Sequence, residues 1–208
     1  MPALSYYVSV RTRYRRAVNL SADSRNTHAL DDVLITPLVA HALARILTNL
    51  ENPQGERSFM VFGPYGAGKS TFALFLCSLF SMGAQKKSKA YISLCRENAD
   101  LGKGFASQCA ATRPWFCVPL TARRSPIGQV VVEGLRDALD SLPEDEKRHS
   151  LRQRLDEALQ HAQWRDSATV LDMVESTRQL ALAHKKGGML LVIDEAGKCL
   201  EYALKDKS

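Results

Sequence analysis

Gly63-Pro64-Tyr65-Gly66-Ala67-Gly68-Lys69-Ser70 matches the pattern G-x-x-x-x-G-K-[ST] at every fixed position. One apolar run, Ser58–Phe62, leads into it, and another, Ser70–Ser81, leads out. The pattern predicts a strand over Ser58–Phe62, a tight loop, and a helix over Ser70–Ser81 that is apolar on nearly every face and therefore buried. Glycines let backbone N–H groups curl round an anion with no Cβ in the way. The helix that follows turns its positive end toward the same anion. In a loop of this kind the backbone from Gly63 to Gly68 cradles phosphates, with Pro64, Tyr65, Gly66 and Ala67 between its ends. Lys69 reaches the β- and γ-phosphates, the Ser70 hydroxyl takes Mg²⁺, and Thr71 faces the α-phosphate side.

A second run points to the same chemistry. Met189–Ile193 carries no polar residue, as strands buried on both faces of a parallel sheet do. It ends in Asp194 and Glu195. An acid at the carboxyl end of such a strand lies where ligands of open α/β sheets bind. Asp194 is predicted to hold Mg²⁺ through water. Glu195 has two readings: a general base for water attack, or a favourable acid in the first turn of the next helix. A small-molecule kinase needs no water-activating acid, so the first reading favours hydrolysis.

The rest of the chain supplies a scaffold. With 208 residues it suits one large domain or a domain with an appendage. Hydrophobic residues at 45% and charged residues at 24% are a globular composition. No apolar stretch reaches the roughly 18 residues of a membrane span, so no membrane partner is expected. Residues 1–10 lack the basic start and apolar run of a secretory signal. The five cysteines, Cys77, Cys95, Cys109, Cys117 and Cys199, form no C-x-x-C pair and read as free thiols in reducing cytoplasm.

Residues 5–20 alternate like one or two strands, and residues 21–28 like a loop. Thr36-Pro37 opens a helix with Leu38, Leu43, Ile46, Leu47 and Leu50 on its stripe, stopped by Asn52–Gly55. Ile92–Phe105 reads as a weak helix and Trp115–Leu120 as a buried strand. Ser125-Pro126 caps a helix bearing Ile127, Val130, Val131, Leu135 and Leu142. Leu151, Leu155 and Leu159 mark a core-facing helix over Pro143–Ala162. Ser167–Lys186 is a helix closed by Gly187-Gly188. Arg123 and Arg124, after the Trp115–Leu120 strand, read either as surface charge before a helix cap or as sensors of phosphate or of a neighbouring subunit. The expected division is residues 1–55, a strand–helix segment, and 56–208, the nucleotide-binding core.

Together GPYGAGKS and LLVIDEAGK resemble the additional-strand, catalytic-glutamate branch of P-loop ATPases, which includes AAA+ and STAND proteins. Asp-Glu-Ala-Gly is also similar to the DEAD-type helicases, from whose A-x-x-G-x-G-K-T motif Gly63-Pro64-Tyr65 departs. The longer strings Phe62–Ser70 and Asp194–Ala203 resemble large ATPases of bacterial anti-phage defence clusters. Leu34-Ile35-Thr36-Pro37 is similar to the segment that lines the adenine in AAA-like proteins. The resemblance implies an α/β three-layer P-loop fold with a parallel sheet, ATP and Mg²⁺ as ligands, Lys69 and Glu195 as catalytic groups, and a homo-oligomer or partner subunits. It also implies the strand order 5-1-4-3-2, with Gly63 after strand 1, Trp115–Leu120 as strand 2 and Asp194 ending strand 3. Only Glu195–Ser208 follow. Strands 4 and 5, the arginine finger and the helical lid are therefore unaccounted for. The expectation is an N-terminal piece of a longer protein, with weak turnover alone. Ser58–Phe62 and Met189–Ile193 would then lie side by side or have a strand from residues 5–20 between them. Two rival functions stand beside ATP hydrolysis: a nucleotide-dependent switch without significant turnover, and a nucleic-acid motor.

The motor reading rests on charge. Lys plus Arg number 28 against 22 acids, a net +6, and Arg11, Arg13, Arg15 and Arg16 cluster early. On a strand Arg11, Arg13 and Arg15 share one face. That face either contacts nucleic-acid phosphates or is simply solvated. If it contacts phosphates, duplex or single-strand DNA affinity falls with salt at a log–log slope of about −0.7 to −0.9 per neutralised phosphate. No binding at low salt assigns the arginines to a solvated face.

Overall fold

Two apolar runs far apart in sequence, Phe116–Thr121 (β1) and Met189–Asp194 (β2), lie side by side as parallel strands, with Phe116 opposite Met189 and Thr121 opposite Asp194. The computed structural model describes residues 18, 20–23, 30, 33–81, 89–111 and 113–205. Around the strands lie α1 (Leu20–Asp23), α2 (Pro37–Glu51), α3 (Lys69–Phe80), α4 (Lys89–Glu97) and α5 (Ala99–Ala111), followed after β1 by α6 (Ile127–Ala138), α7 (Glu146–Gln160) and α8 (Ser167–Ala183) and after β2 by α9 (Gly197–Lys205). The fold is mixed α/β with a small parallel sheet.

Alternation along the strands sends their side chains into two separate cores. Phe116, Val118 and Leu120, with Met189, Leu191 and Ile193, pack among Val132, Leu135, Leu155 and Met173 of α6, α7 and α8. Cys117, Leu190 and Val192 pack on the other side with Leu43, Phe75, Leu79, Leu94 and Phe105 of α2, α3, α4 and α5. Each such Leu or Phe contributes about 1.5–3 kcal/mol when fully buried.

Helix boundaries follow local chemistry. Thr36 caps α2 by accepting from the Val39 N–H at 3.3 Å, and Pro37 takes the first helical position. Leu38, expected on the buried stripe, is 78% exposed, so Leu43, Ile46 and Leu47 carry that face. Asp145 and Asp166 cap α7 and α8 in the same way, accepting from Arg148 N at 2.7 Å and Thr169 N at 2.9 Å. The weak helix expected over Ile92–Phe105 is two helices, because Asn98 interrupts the first and caps the second through Leu101 N at 3.0 Å.

α8 does not close at Gly187-Gly188. Lys185 adopts the left-handed conformation (φ 60°), and Lys186 N donates to Ala181 O at 3.0 Å, which ends the helix earlier. Gly188 has a different role: a Cβ there would stand 3.0 Å from the Trp115 ring.

Two further expectations fail. Ser58–Phe62 is not a strand: among the described residues β2 pairs only with β1, and an unanswered row of N–H and C=O groups forms no ladder. The segment has no regular secondary structure and is mostly exposed, Met60 at 76% and Phe62 at 81%, so it does not lie paired beside Met189–Ile193. Leu20 begins a helical turn rather than ending a strand. The strands expected over residues 5–17, the arginines among them and the polar stretch 82–88 lie outside the described residues.

α6 presses on the turn that precedes α8. A Cβ at Gly128 would meet the Trp164 carbonyl oxygen at 2.1 Å. Gly128→Ala is therefore predicted to destabilise the fold by about 1–3 kcal/mol, although alanine is the better helix former. Urea unfolding tests this, and an unchanged or raised midpoint would remove the contact from the account.

Candidate functional site

Gly66 and Gly68 both take the left-handed conformation, with φ 80° and 82°, and an added Cβ at either would meet nothing within 4 Å. Backbone geometry, rather than crowding, thus requires glycine there. Gly68 caps α3 with no side chain, and Phe72 N donates to its carbonyl at 2.8 Å. The first-turn amides of α3 have no carbonyl behind them within the helix. The whole stretch Gly63–Gly68 is exposed, Tyr65 at 93%, while Lys69, Ser70 and Thr71 are half-buried. Lys69 folds back over the loop, its Nζ donating to Gly63 O at 3.0 Å and Pro64 O at 2.8 Å.

The direction of α3 decides which residues share the site. The Phe80 carbonyl, at its C-terminus, accepts from Trp115 N at 2.8 Å, just before β1. One turn back, the Cys77 carbonyl accepts from the Cys117 thiol at 3.5 Å, one step into the strand. Helix numbers fall as strand numbers rise, so α3 runs antiparallel to the sheet. Lys69 lies about 16 Å up the helix from Phe80, and Thr121 about 20 Å up the strand from Trp115. α3 also packs against β2. Lys69 and Ser70 therefore lie at the same end of the sheet as Thr121 and Asp194. Both Asp194 and Ser70 are half-buried.

At that end β2 turns sharply. Glu195 is left-handed (φ 57°), an uncommon conformation for a glutamate. Its N–H donates to Asp194 Oδ1 at 2.9 Å. Its carboxylate forms an ion pair with Lys198 in the first turn of α9. That hydrogen bond raises the Lys198 ammonium above its ordinary value. Of the two arginines on the loop after β1, Arg123 pairs with Glu133 at 2.6 Å and Arg124 with Glu201 at 3.1 Å. Both are thus engaged within the chain.

Sequence reasoning missed two residues here. Thr121 stands opposite Asp194, its hydroxyl oxygen buried without a hydrogen-bond partner among the described residues; such a group is one that a water or ligand satisfies. A threonine ending the apolar run Phe116–Leu120 was the available signal. Lys198 is the other, and its i, i+3 spacing from Glu195 was the signal.

Among the described residues no group of three or more His, Cys, Asp or Glu side chains could hold a metal. A hydroxyl and one carboxylate at the same sheet end nevertheless fit Mg²⁺, which keeps waters and takes few protein ligands beside substrate phosphates. The described cysteines Cys77, Cys95, Cys117 and Cys199 are free thiols. The hydrogen bond with Cys77, and then burial, push the Cys117 thiol up. No described helix is long and apolar enough to cross a membrane. No family model matches the chain, and no curated protein or solved structure matches it either.

Because Gly68 has open space around its Cα, Gly68→Ala isolates the conformational requirement. Forcing alanine into the left-handed region costs about 1–2 kcal/mol. Denaturant unfolding should show a loss of that size with the helical circular dichroism intact. No loss would mean that the loop relaxes without left-handed residues.

Proposed function

We propose that the chain binds Mg·ATP at Gly63–Thr71 and belongs to a P-loop ATPase of the additional-strand, catalytic-glutamate kind, with the three-layer fold that implies. One observation carries the reading: a glycine-rich loop with two left-handed glycines opens α3 at the sheet end where β2 finishes in Asp194 and the chain turns at Glu195. Backbone amides and the start of α3 would hold the phosphates. Lys69, now on the carbonyls of its own loop, would exchange them for β- and γ-phosphate oxygens. Ser70 and Asp194 would hold Mg²⁺, which when bound neutralises charge on the phosphates. Glu195 would accept a proton from water as its oxygen attacks the γ-phosphorus and the bond to the bridging oxygen breaks, releasing ADP. Such catalysis is mostly positioning and charge stabilisation. The free thiols fit a cytoplasmic setting.

A second reading has its own observation. Both Lys69 and Glu195 are engaged by groups of this chain, as suits a nucleotide-dependent switch that turns over little. Phosphate release at steady state separates the two.

Two substitutions test the site. Lys69→Ala is predicted to weaken Mg·ATP binding at least about tenfold, or 1.4 kcal/mol, measured by equilibrium titration; unchanged affinity in a folded variant removes the central claim. Glu195→Gln is predicted to keep binding and to lower phosphate release by about 10²–10⁴-fold. Equal turnover in both proteins would return Glu195 to a helix-start role.

A further inference from the structure

We propose that Lys198 is a positioning residue for Glu195, a latch whose ammonium occupies the carboxylate that water activation needs, so that turnover waits on the opening of this ion pair. The inference rests on the ATPase reading above.

Three features separate this contact from ordinary surface pairing. First, its acid is the proposed base, directly after Asp194 at the site end of the sheet. Second, the backbone commits Glu195 to it. At φ 57° the chain leaves β2 in a tight turn, and Lys198 N donates to Glu195 O at 2.9 Å, so the carboxylate and the ammonium face each other across one turn. Third, α9 is anchored. The buried Cys199 thiol donates to Arg123 O at 3.5 Å, and Glu201 holds Arg124 at 3.1 Å, tying α9 to the loop after β1. Lys198 therefore stays beside Glu195 while the helix stays in place, and the pair opens by side-chain rotation.

A general base must accept a hydrogen bond from the water it deprotonates. A carboxylate oxygen shared with an ammonium is a poorer acceptor for that water. The pair is half-exposed, with side-chain exposures of 45% and 42%, so water screens it. It is weak enough to open readily, which suits a latch better than a structural clamp. An exposed lysine is cationic near neutral pH, and the hydrogen bond with Glu195 raises its ammonium further. The other charges acting on Lys198 are Arg124 and Asp194.

The test uses the full chain and reads Mg·ATP affinity and steady-state phosphate release side by side in the parent, Lys198→Met, Lys198→Arg, Glu195→Gln and the combined Lys198→Met/Glu195→Gln protein. Opening an exposed ion pair of this kind is expected to raise turnover by about two- to fivefold in Lys198→Met, with affinity unchanged. Arginine restores the pair and the parental rate, and the combined protein turns over no faster than Glu195→Gln. A merely structural role for Lys198 would not raise the rate constant at unchanged affinity. If the parent turns ATP over and Lys198→Met turns it over no faster, the latch is overturned and the ATPase reading stands; if nucleotide binds but neither protein releases phosphate, the latch and the ATPase reading are overturned and the switch reading stands. If the parent binds no nucleotide, both are overturned.

Discussion

The parallel pairing of Phe116–Thr121 with Met189–Asp194 is the constraint on which the rest of this structure depends. It sets Thr121 opposite Asp194 and so defines one end of the sheet as polar. It also gives the strands two faces, each apolar, each needing helices to cover it. α6, α7 and α8 cover one face and α2 to α5 the other. Remove the ladder and the two cores have nothing to divide them.

The helix that opens at the glycine-rich loop is positioned by this pair. α3 buries Phe72, Leu74, Phe75, Leu76, Leu79 and Phe80, and its hydrogen bonds to Trp115 and Cys117 set its direction. The loop itself is exposed, and its shape comes from two left-handed glycines and from Lys69 bridging two carbonyls. Rigid helix below, open loop above: the burial that stabilises α3 also keeps the loop's amides at the strand ends, where a charged ligand can be met without disturbing the core. The ion pairs around the site, at Arg123, Arg124 and Lys198, are half-exposed and individually weak. They adjust the site and the seating of α9 rather than hold the two cores together.

Much of this was legible in the residues. Continuous apolar runs at Trp115–Leu120 and Met189–Ile193 announced strands, though β2 is half-buried along its whole length rather than buried, and Thr36-Pro37 announced a helix start, because both signals are local. The motif Gly63–Ser70 announced its loop for the same reason. Ser58–Phe62 looks equally like a strand, but a strand needs a neighbour, and no pattern within five residues reports whether one arrives. Lys185 hid the end of α8, because glycine is only the commonest residue in the left-handed cap, not the only one that can take it. Leu38 carries the right spacing and still faces out, since a helix stripe says where apolar residues line up and not how far the covering layer extends. Thr121 and Lys198 stand at readable places, after an apolar run and three residues past Glu195, but what they face in space is what gives them a role.

The central claim is that a phosphate ligand is held by the backbone of Gly63–Gly68 and the start of α3. Amide chemical shifts of the isotopically labelled chain, followed while Mg·ATP is added, address it most directly. The account predicts saturable shifts concentrated at Gly66, Gly68, Lys69 and Ser70, with smaller ones at Thr121, Asp194 and Glu195 across the sheet end. No saturable shift at the loop, or shifts confined to the distant faces of α7 and α8, would contradict it.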